Sequence, residues 1–195
     1  MRELKTEAFI LSGGKSSRMG RDKGMVFLRG KSMISFIIEA VKEAGVPVNV
    51  IANDIEYRSF GFPVYADVVT EKGPMGGLLT ALENSEAEVI FLVSCDMPLI
   101  STEAIKHLLK FANSKKIIAA TVEGRVNPLF ALYPKSLKPD VETRIASGKL
   151  KMTDFILENK HTLVPSIARD FPHVFRNVNN EEELKMTEKE WNHLK

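Results

Sequence analysis

The sequence predicts a single α/β domain over residues 1–195, a three-layer sandwich in which a mostly parallel β-sheet carries helices on both faces. Two observations predict it. Short apolar runs alternate with segments whose apolar residues recur at helical spacing, the pattern of repeated βαβ units. The loops that follow four of those runs each begin with glycine, asparagine or aspartate, at the strand ends where such sheets bind ligands.

The runs Ala8–Ser12, Val48–Ala52, Pro63–Ala66, Val89–Ser94, Ile117–Val122 and Leu129–Tyr133 read as buried strands. A strand covered on both faces is apolar almost throughout, because every side chain meets a helix. Ser32–Ala44 places Ile34, Ile37, Ile38 and Val41 on one helical face, and Gly45 supplies a stop. Thr102–Ala112 repeats the pattern with Ile105, Leu108 and Leu109, and Met75–Leu82 is a shorter third helix. A last helix is expected after Asn180, which can cap it with Glu183 three residues on, while Glu181–Glu183 suit the positive helix end. The strand-end rule then points to Gly13-Gly14, Asn53, Asp67 and Asp96.

Composition excludes several classes. Hydrophobic residues make up 44% and charged residues 27%, which argues against disorder. A net charge of +2 gives no general reason to expect a nucleic acid or an anionic membrane as partner. The single cysteine, Cys95, allows no internal disulfide and no cysteine-based zinc site, and the scattered histidines make no metal-binding spacing. Met1–Lys5 with the short apolar run behind it resembles neither a signal peptide nor a membrane span, so a cytoplasmic protein is expected.

Charge is concentrated at one place. Between Lys15 and Lys31 six basic residues stand against the single acid Asp22. This stretch overlaps Leu11-Ser12-Gly13-Gly14-Lys15-Ser16-Ser17-Arg18-Met19-Gly20-Arg21-Asp22-Lys23, directly after the first strand. Consecutive glycines let main-chain amides approach phosphate oxygens, and Arg18 and Lys23 add positive charge suited to a triphosphate. The segment is not a P-loop, which would require glycine where Phe9 stands, and it lacks Gly-x-Gly-x-x-Gly spacing from either Gly13 or Gly14. An ATPase and a dehydrogenase are therefore disfavoured.

The segment resembles the signature of the glycine-rich nucleotidyltransferases, Leu-x-Gly-Gly-x-x-x-Arg-Met-Gly-x-Asp-Lys, and is most similar to the molybdenum cofactor guanylyltransferase family. The resemblance runs from Ile10 to Leu184. Gly73-Pro74-Met75-Gly76-Gly77 looks like the family's second glycine-rich turn, Ser94-Cys95-Asp96-Met97-Pro98 like its Cys-Asp-x-Pro, and Asn177-Val178-Asn179 like its Asn-Val-Asn. Where the family often continues with Thr-Pro, Asn180-Glu181 stands here and keeps a helix cap.

The resemblance implies a Rossmann-like sheet of the nucleotide-diphospho-sugar transferase type. It also implies transfer of GMP from GTP to molybdenum-bound molybdopterin with Mg²⁺ as cofactor. Lys23, Arg18 and Asp96 become catalytic candidates. Leu11, Ser12, Gly13, Gly14, Lys23, Asn53, Asp67, Gly76, Gly77 and Asp96 become the nucleotide site. Asp96 and Asn179 become metal ligands, and Arg125 and Asn127 contacts to the pterin. Partners would be the two substrates and, transiently, molybdoenzyme apoproteins or other cofactor-synthesis proteins, with no nucleic acid and no membrane. Taken residue by residue, Asp96, Asp67 and Asn53 could each simply form a turn after a strand, and Cys95 reads as a buried thiol. A cytidylyl enzyme for the same pterin, a guanylyl enzyme for a cobalamin precursor, or a non-catalytic nucleotide-binding adaptor stay open at this point.

Overall fold

A computed structural model describes residues 4–13 and 22–194. Within them the strands are β1 (Thr6–Leu11), β2 (Phe27–Leu28), β3 (Lys31–Ser32), β4 (Val48–Ile51), β5 (Val64–Tyr65), β6 (Val89–Ser94), β7 (Ile117–Val122), β8 (Arg125–Pro134) and β9 (His161–Val164). The α-helices are α1 (Met33–Glu43), α2 (Gly73–Asn84), α3 (Thr102–Leu109), α4 (Lys138–Ala146), α5 (Met152–Glu158), α6 (Ser166–Asp170) and α7 (Glu181–Leu194). Seven strands form one sheet in the order β5-β4-β1-β6-β8-β7-β9, and β2 and β3 form a separate small hairpin. Only β8 runs against its neighbours in the large sheet.

The expected layers are present. Alternate residues of β1 point to opposite sides, as strand geometry requires. Ala8 and Ile10 pack with Ile34, Ile37 and Val41 of α1, Ile105 and Leu108 of α3 and Ile167 of α6. Phe9 faces the other way, with Leu78 and Leu82 of α2, Val141 of α4 and Phe155 of α5. All six residues of β6 are buried, which explains its unbroken apolar run. Full burial of each large side chain contributes about 1.5–3 kcal/mol.

Local signals hold where they have a mechanism. Gly45 ends the first helix in the left-handed region at φ +81° and donates its amide to the Lys42 carbonyl at 2.9 Å. At the last helix the Glu183 amide donates to Asn180 Oδ1 at 2.9 Å, and Asn180 Nδ2 donates to Glu183 Oε1 at 3.0 Å. Three expectations need correction. Helix α2 starts at Gly73 rather than Met75, so the second glycine-rich segment is the opening of a helix and not a loop before it. The run at Leu129–Tyr133 is the inner part of a ten-residue strand that returns from β7 through Glu123 and Gly124, both at positive φ. The strand expected over Pro63–Ala66 is only Val64–Tyr65 at the sheet edge.

Phe91 of β6 meets Phe130 of β8 edge-on at 5.3 Å, and Phe130 meets Phe175 in the same manner at 5.4 Å. This stack ties the centre of the sheet to the segment leading into α7. Phe91→Ala is expected to lower unfolding stability by about 3–5 kcal/mol, read as a lower urea midpoint at unchanged slope. A loss below about 1 kcal/mol would show that the stack is not part of the cooperative core.

Candidate active site

The registers of four strands bring their carboxyl ends to one level. Leu11 of β1 lies opposite both Ile51 of β4 and Ser94 of β6, and Ile51 lies opposite Tyr65 of β5. Two residues beyond each of these positions stand Gly13, Asn53, Asp96 and Asp67. Four of the expected site residues therefore rim one sheet edge. The chain winds from β1 out to β4 and β5, then returns to β6 on the other side of β1. That reversal opens a cleft at the strand ends, as in other doubly wound sheets. Leu11, Ser12, Gly13, Lys23, Asp67, Gly77 and Asp96 line it.

At its floor three polar groups converge. Lys23 Nζ donates to Asn179 Oδ1 at 2.6 Å and lies 3.8 Å from Asp96 Oδ2. Lys23 opens a short 3₁₀ turn, Lys23–Met25, capped by the Asp22 carboxylate. Asn179 is brought across by the Val178 amide, which donates to the Asp96 carbonyl at 2.8 Å. Its own amide donates to Glu183 Oε2 at 2.6 Å, so the cap of α7 also orients this side chain's backbone. The Asp96 carboxylate and the Asn179 amide oxygen thus already gather around a cation, the lysine ammonium. Their hard oxygens fit a divalent ion that takes one or two protein ligands and completes its shell with phosphate and water. Among the described residues there is no cluster of three or more acidic, histidine or cysteine side chains for a fully protein-made metal cage.

Asp67 and Asn53 pair reciprocally on the opposite rim. Asn53 Nδ2 donates to Asp67 Oδ2 at 3.3 Å, and the Asp67 amide donates to Asn53 Oδ1 at 3.2 Å. Burial raises the Asp67 carboxyl above the usual aspartate value, opposed by the bond from Asn53. Asp67 faces the cleft, whereas Asn53 is exposed and acts on it through Asp67. Gly77 of α2 packs on β1: a β-carbon there would lie 2.6 Å from Leu11 Cδ2. Gly76 is turned toward Val69 and Lys72, where a β-carbon would meet the Val69 carbonyl at 3.0 Å. Gly77 thus brings the helix close to β1, and Gly76 brings it close to the loop that precedes it. Gly14 and Arg18 lie outside the described residues.

A second cleft adjoins the first. Asp96, Met97, Arg125, Asn127, Leu129 and Phe175 are among its lining, and Asp96 and Leu129 border both clefts. The reversed direction of β8 is what puts Arg125 and Asn127 here, since its first residues share the end at which β6 finishes. Arg125 is exposed. Asn127 is already engaged: its Oδ1 accepts from the Leu129 amide at 3.0 Å, and its Nδ2 points to Met97 Sδ at 3.7 Å. It shapes the cleft wall.

Cys95 is buried at the cleft floor, and burial pushes its thiol up to about 12. It is a packed thiol, as expected. The residues that sequence reasoning missed are Asp22 in this setting and Tyr57. Tyr57 lies in the 3₁₀ turn Ile55–Phe60, and its hydroxyl contacts Ser12 and Asp22. No spacing or motif marks a tyrosine 45 residues from one partner and 35 from the other.

Comparison with known proteins agrees with this arrangement. Residues 8–162 match the MobA-like NTP transferase domain. The probable molybdenum cofactor guanylyltransferase of Flavobacterium johnsoniae is 36% identical over 90% of this chain and 93% of its own. The molybdenum cofactor guanylyltransferase of Haemophilus influenzae is 34% identical over 92% of this chain and 96% of its own. In structure, the molybdopterin-guanine dinucleotide biosynthesis protein A of Archaeoglobus fulgidus superposes with a TM-score of 0.79 at 22% identity, over 96% of this chain and 99% of that one, which shows a common fold. With the match spanning most of its length, the chain belongs to the MobA-like NTP transferase family.

Proposed function

We propose that this protein transfers GMP from GTP to the terminal phosphate of molybdenum-bound molybdopterin, giving molybdopterin guanine dinucleotide and pyrophosphate. As a nucleotidyltransferase of molybdenum cofactor synthesis it has relatives of that name over nine-tenths of its length. The observation that carries the reading is the pair of clefts meeting at Asp96. A group-transfer enzyme needs two substrates whose reacting atoms meet at one point, held in line. GTP occupies the first cleft, with the base toward Asp67 and the phosphates toward Gly13 and Lys23. The acceptor occupies the second, with its phosphate toward Arg125 and Asp96.

A phosphate oxygen of the acceptor attacks the α-phosphorus. The new O–P bond forms as the bond from the α-phosphorus to the bridging oxygen breaks, and that electron pair leaves with pyrophosphate. The acceptor phosphate is already largely ionised at neutral pH, so no protein nucleophile is required. Catalysis rests on placement and on neutralising negative charge that moves toward the leaving group. Lys23 leaves Asn179 for the phosphate oxygens as the nucleotide arrives, and Arg18 adds positive charge from the same segment. Asp96, with Asn179, would hold Mg²⁺, which bound with the triphosphate would neutralise its oxygens. Asp67 accepts hydrogen bonds from the N1–H and N2–H edge of guanine, and Asn53 keeps its carboxylate aimed. GTP as donor puts the reaction in the cytoplasm. Product handover by transient contact with apoenzymes is compatible with the open second cleft. No described helix is long and apolar enough to cross a membrane.

The direct test incubates the protein with GTP, Mg²⁺ and molybdopterin and measures the dinucleotide product beside parallel reactions with CTP, ATP and UTP. Product from CTP in preference to GTP would replace the guanylyl assignment with a cytidylyl one, and pyrophosphate release with none of them would support the adaptor. Asp96→Ala is expected to abolish transfer while retaining the wild-type circular dichroism spectrum. Full transfer by that folded variant would remove Asp96 from the metal site.

Lys23→Ala is expected to slow pyrophosphate release about 100–1,000-fold, the usual effect of deleting one charge-stabilising donor. A wild-type rate would make it a bystander. Asp67→Asn is expected to reduce the preference for GTP over ITP, which lacks the exocyclic amine. In the wild type that preference should weaken on acidification. The raised carboxyl takes up its proton above the ordinary aspartate range and then loses acceptor capacity. The Asn variant should show no such titration. A wild-type preference in Asp67→Asn, at every pH, would take guanine off this residue.

A further inference from the structure

The glycine-rich segment has two stems, Ser12–Gly13 leaving β1 and Asp22–Lys23 returning to the cleft, and one side chain from a distant part of the chain stands between them. Tyr57 is fully buried, with its ring 6.2 Å from that of Phe60. Ser12 Oγ donates to its hydroxyl at 2.5 Å, and the hydroxyl donates in turn to Asp22 Oδ1. The same Asp22 oxygen accepts the Gly24 amide at 3.1 Å, closing the turn that carries Lys23. Burial first, then the bond to Asp22, push the tyrosine hydroxyl up, so it keeps the proton it donates.

Gly24 shows how closely the stems are drawn together. Its β-carbon would collide with Ser12 Oγ and lie 2.5 Å from the Tyr57 hydroxyl oxygen. Its φ is not positive, so glycine is needed there for space and not for backbone freedom. Asp54, which caps the turn that bears Tyr57, also directly follows Asn53. The tyrosine therefore joins the loop behind the base-side rim to the loop behind the phosphate-side rim.

We propose that Tyr57 is a positioning residue: its hydroxyl, held between Ser12 and Asp22, clamps the stems of the glycine-rich segment and sets where the Lys23 ammonium can reach. Tyr57 touches no substrate. It acts through Asp22 and Lys23, and the proposal rests on the reading of Lys23 as a phosphate-binding group.

The test is a double-mutant cycle. Tyr57→Phe keeps the ring and removes only the hydroxyl. With GTP, Mg²⁺ and molybdopterin it is expected to lower kcat/KM about 10–100-fold, as misplacement of a charged group does. In a Lys23→Met background the same change should cost less than about twofold, because the group it positions is gone. Asp22→Ala should reproduce the loss, and Asp22→Asn, whose Oδ1 still accepts from Tyr57 and Gly24, should recover most of it. If Tyr57→Phe does not fold, the same cycle is run with Ser12→Ala, which removes the clamp's other hydroxyl and leaves Asp22 to close the Gly24 turn. Equal losses in both backgrounds, or a wild-type rate for Tyr57→Phe, would overturn the clamp. Calorimetry with inorganic tripolyphosphate separates this from the proposed reaction. If the wild type binds tripolyphosphate yet transfers no GMP, the reaction fails, and the clamp is judged by whether Tyr57→Phe weakens that binding only when Lys23 is present. A wild type that neither binds tripolyphosphate nor transfers GMP overturns both.

Discussion

β1 and β6 lie side by side and parallel, with Leu11 opposite Ser94 and the Cys95 amide donating to the Leu11 carbonyl at 3.1 Å. This pairing sits where the chain reverses its direction of winding, so the loops leaving the two strands part and leave a cleft between them. A slip of one residue would exchange the layers that the slipped strand's side chains meet, setting Phe9 where Ala8 or Ile10 packs, and carry Asp96 out of level with Gly13. The apolar demand of both helix layers therefore holds the register, and the register holds the site. β4 and β5 extend the same level outward to Asn53 and Asp67.

Burial and function are thus divided along each strand at one boundary. Up to Leu11, Ile51 and Ser94 the side chains answer to packing. One residue further Ser12, Ala52 and Cys95 are still buried, and at the second residue Gly13, Asn53 and Asp96 reach the rim of the cleft. The polar contacts at that edge are few, and each is shared. Asp22 closes a turn and accepts from Tyr57, Glu183 caps α7 and holds the Asn179 amide, and Asn53 orients Asp67. Sharing makes the site rigid with little material, because one displaced side chain loosens two elements.

Much of this was legible in the residues. Runs such as Val89–Ser94 announced themselves because a doubly covered strand must be apolar throughout. Gly45 and Asn180 marked helix ends because their chemistry is local. The direction of β8 was not legible: its first half, Arg125–Leu129, mixes charge, asparagine and proline, and strand direction leaves no periodicity. β9, only four residues with one of them fully buried, was missed for a similar reason. At the cleft, motif and strand position single out Asp96, Lys23 and Asn179, which the structure brings together. Tyr57 was not, because its value lies wholly in partners far along the chain. Gly24 and Gly77 are close-packing surfaces in the structure, where an added β-carbon would collide with Ser12 Oγ and Leu11 Cδ2 respectively.

The bond between Lys23 and Asn179 spans 156 residues, from just after the first strand to just before the last helix. A chain emerging from the ribosome can form β1, β4 and β6 and shape the cleft long before Asn179 exists. Its lysine then has no amide oxygen to rest on, and Asp96 has no second oxygen beside it. The cluster of Lys23, Asn179 and Asp96 therefore closes only when the segment before α7 docks against the end of β6, so loosening that segment alone would open the cluster while the sheet stands.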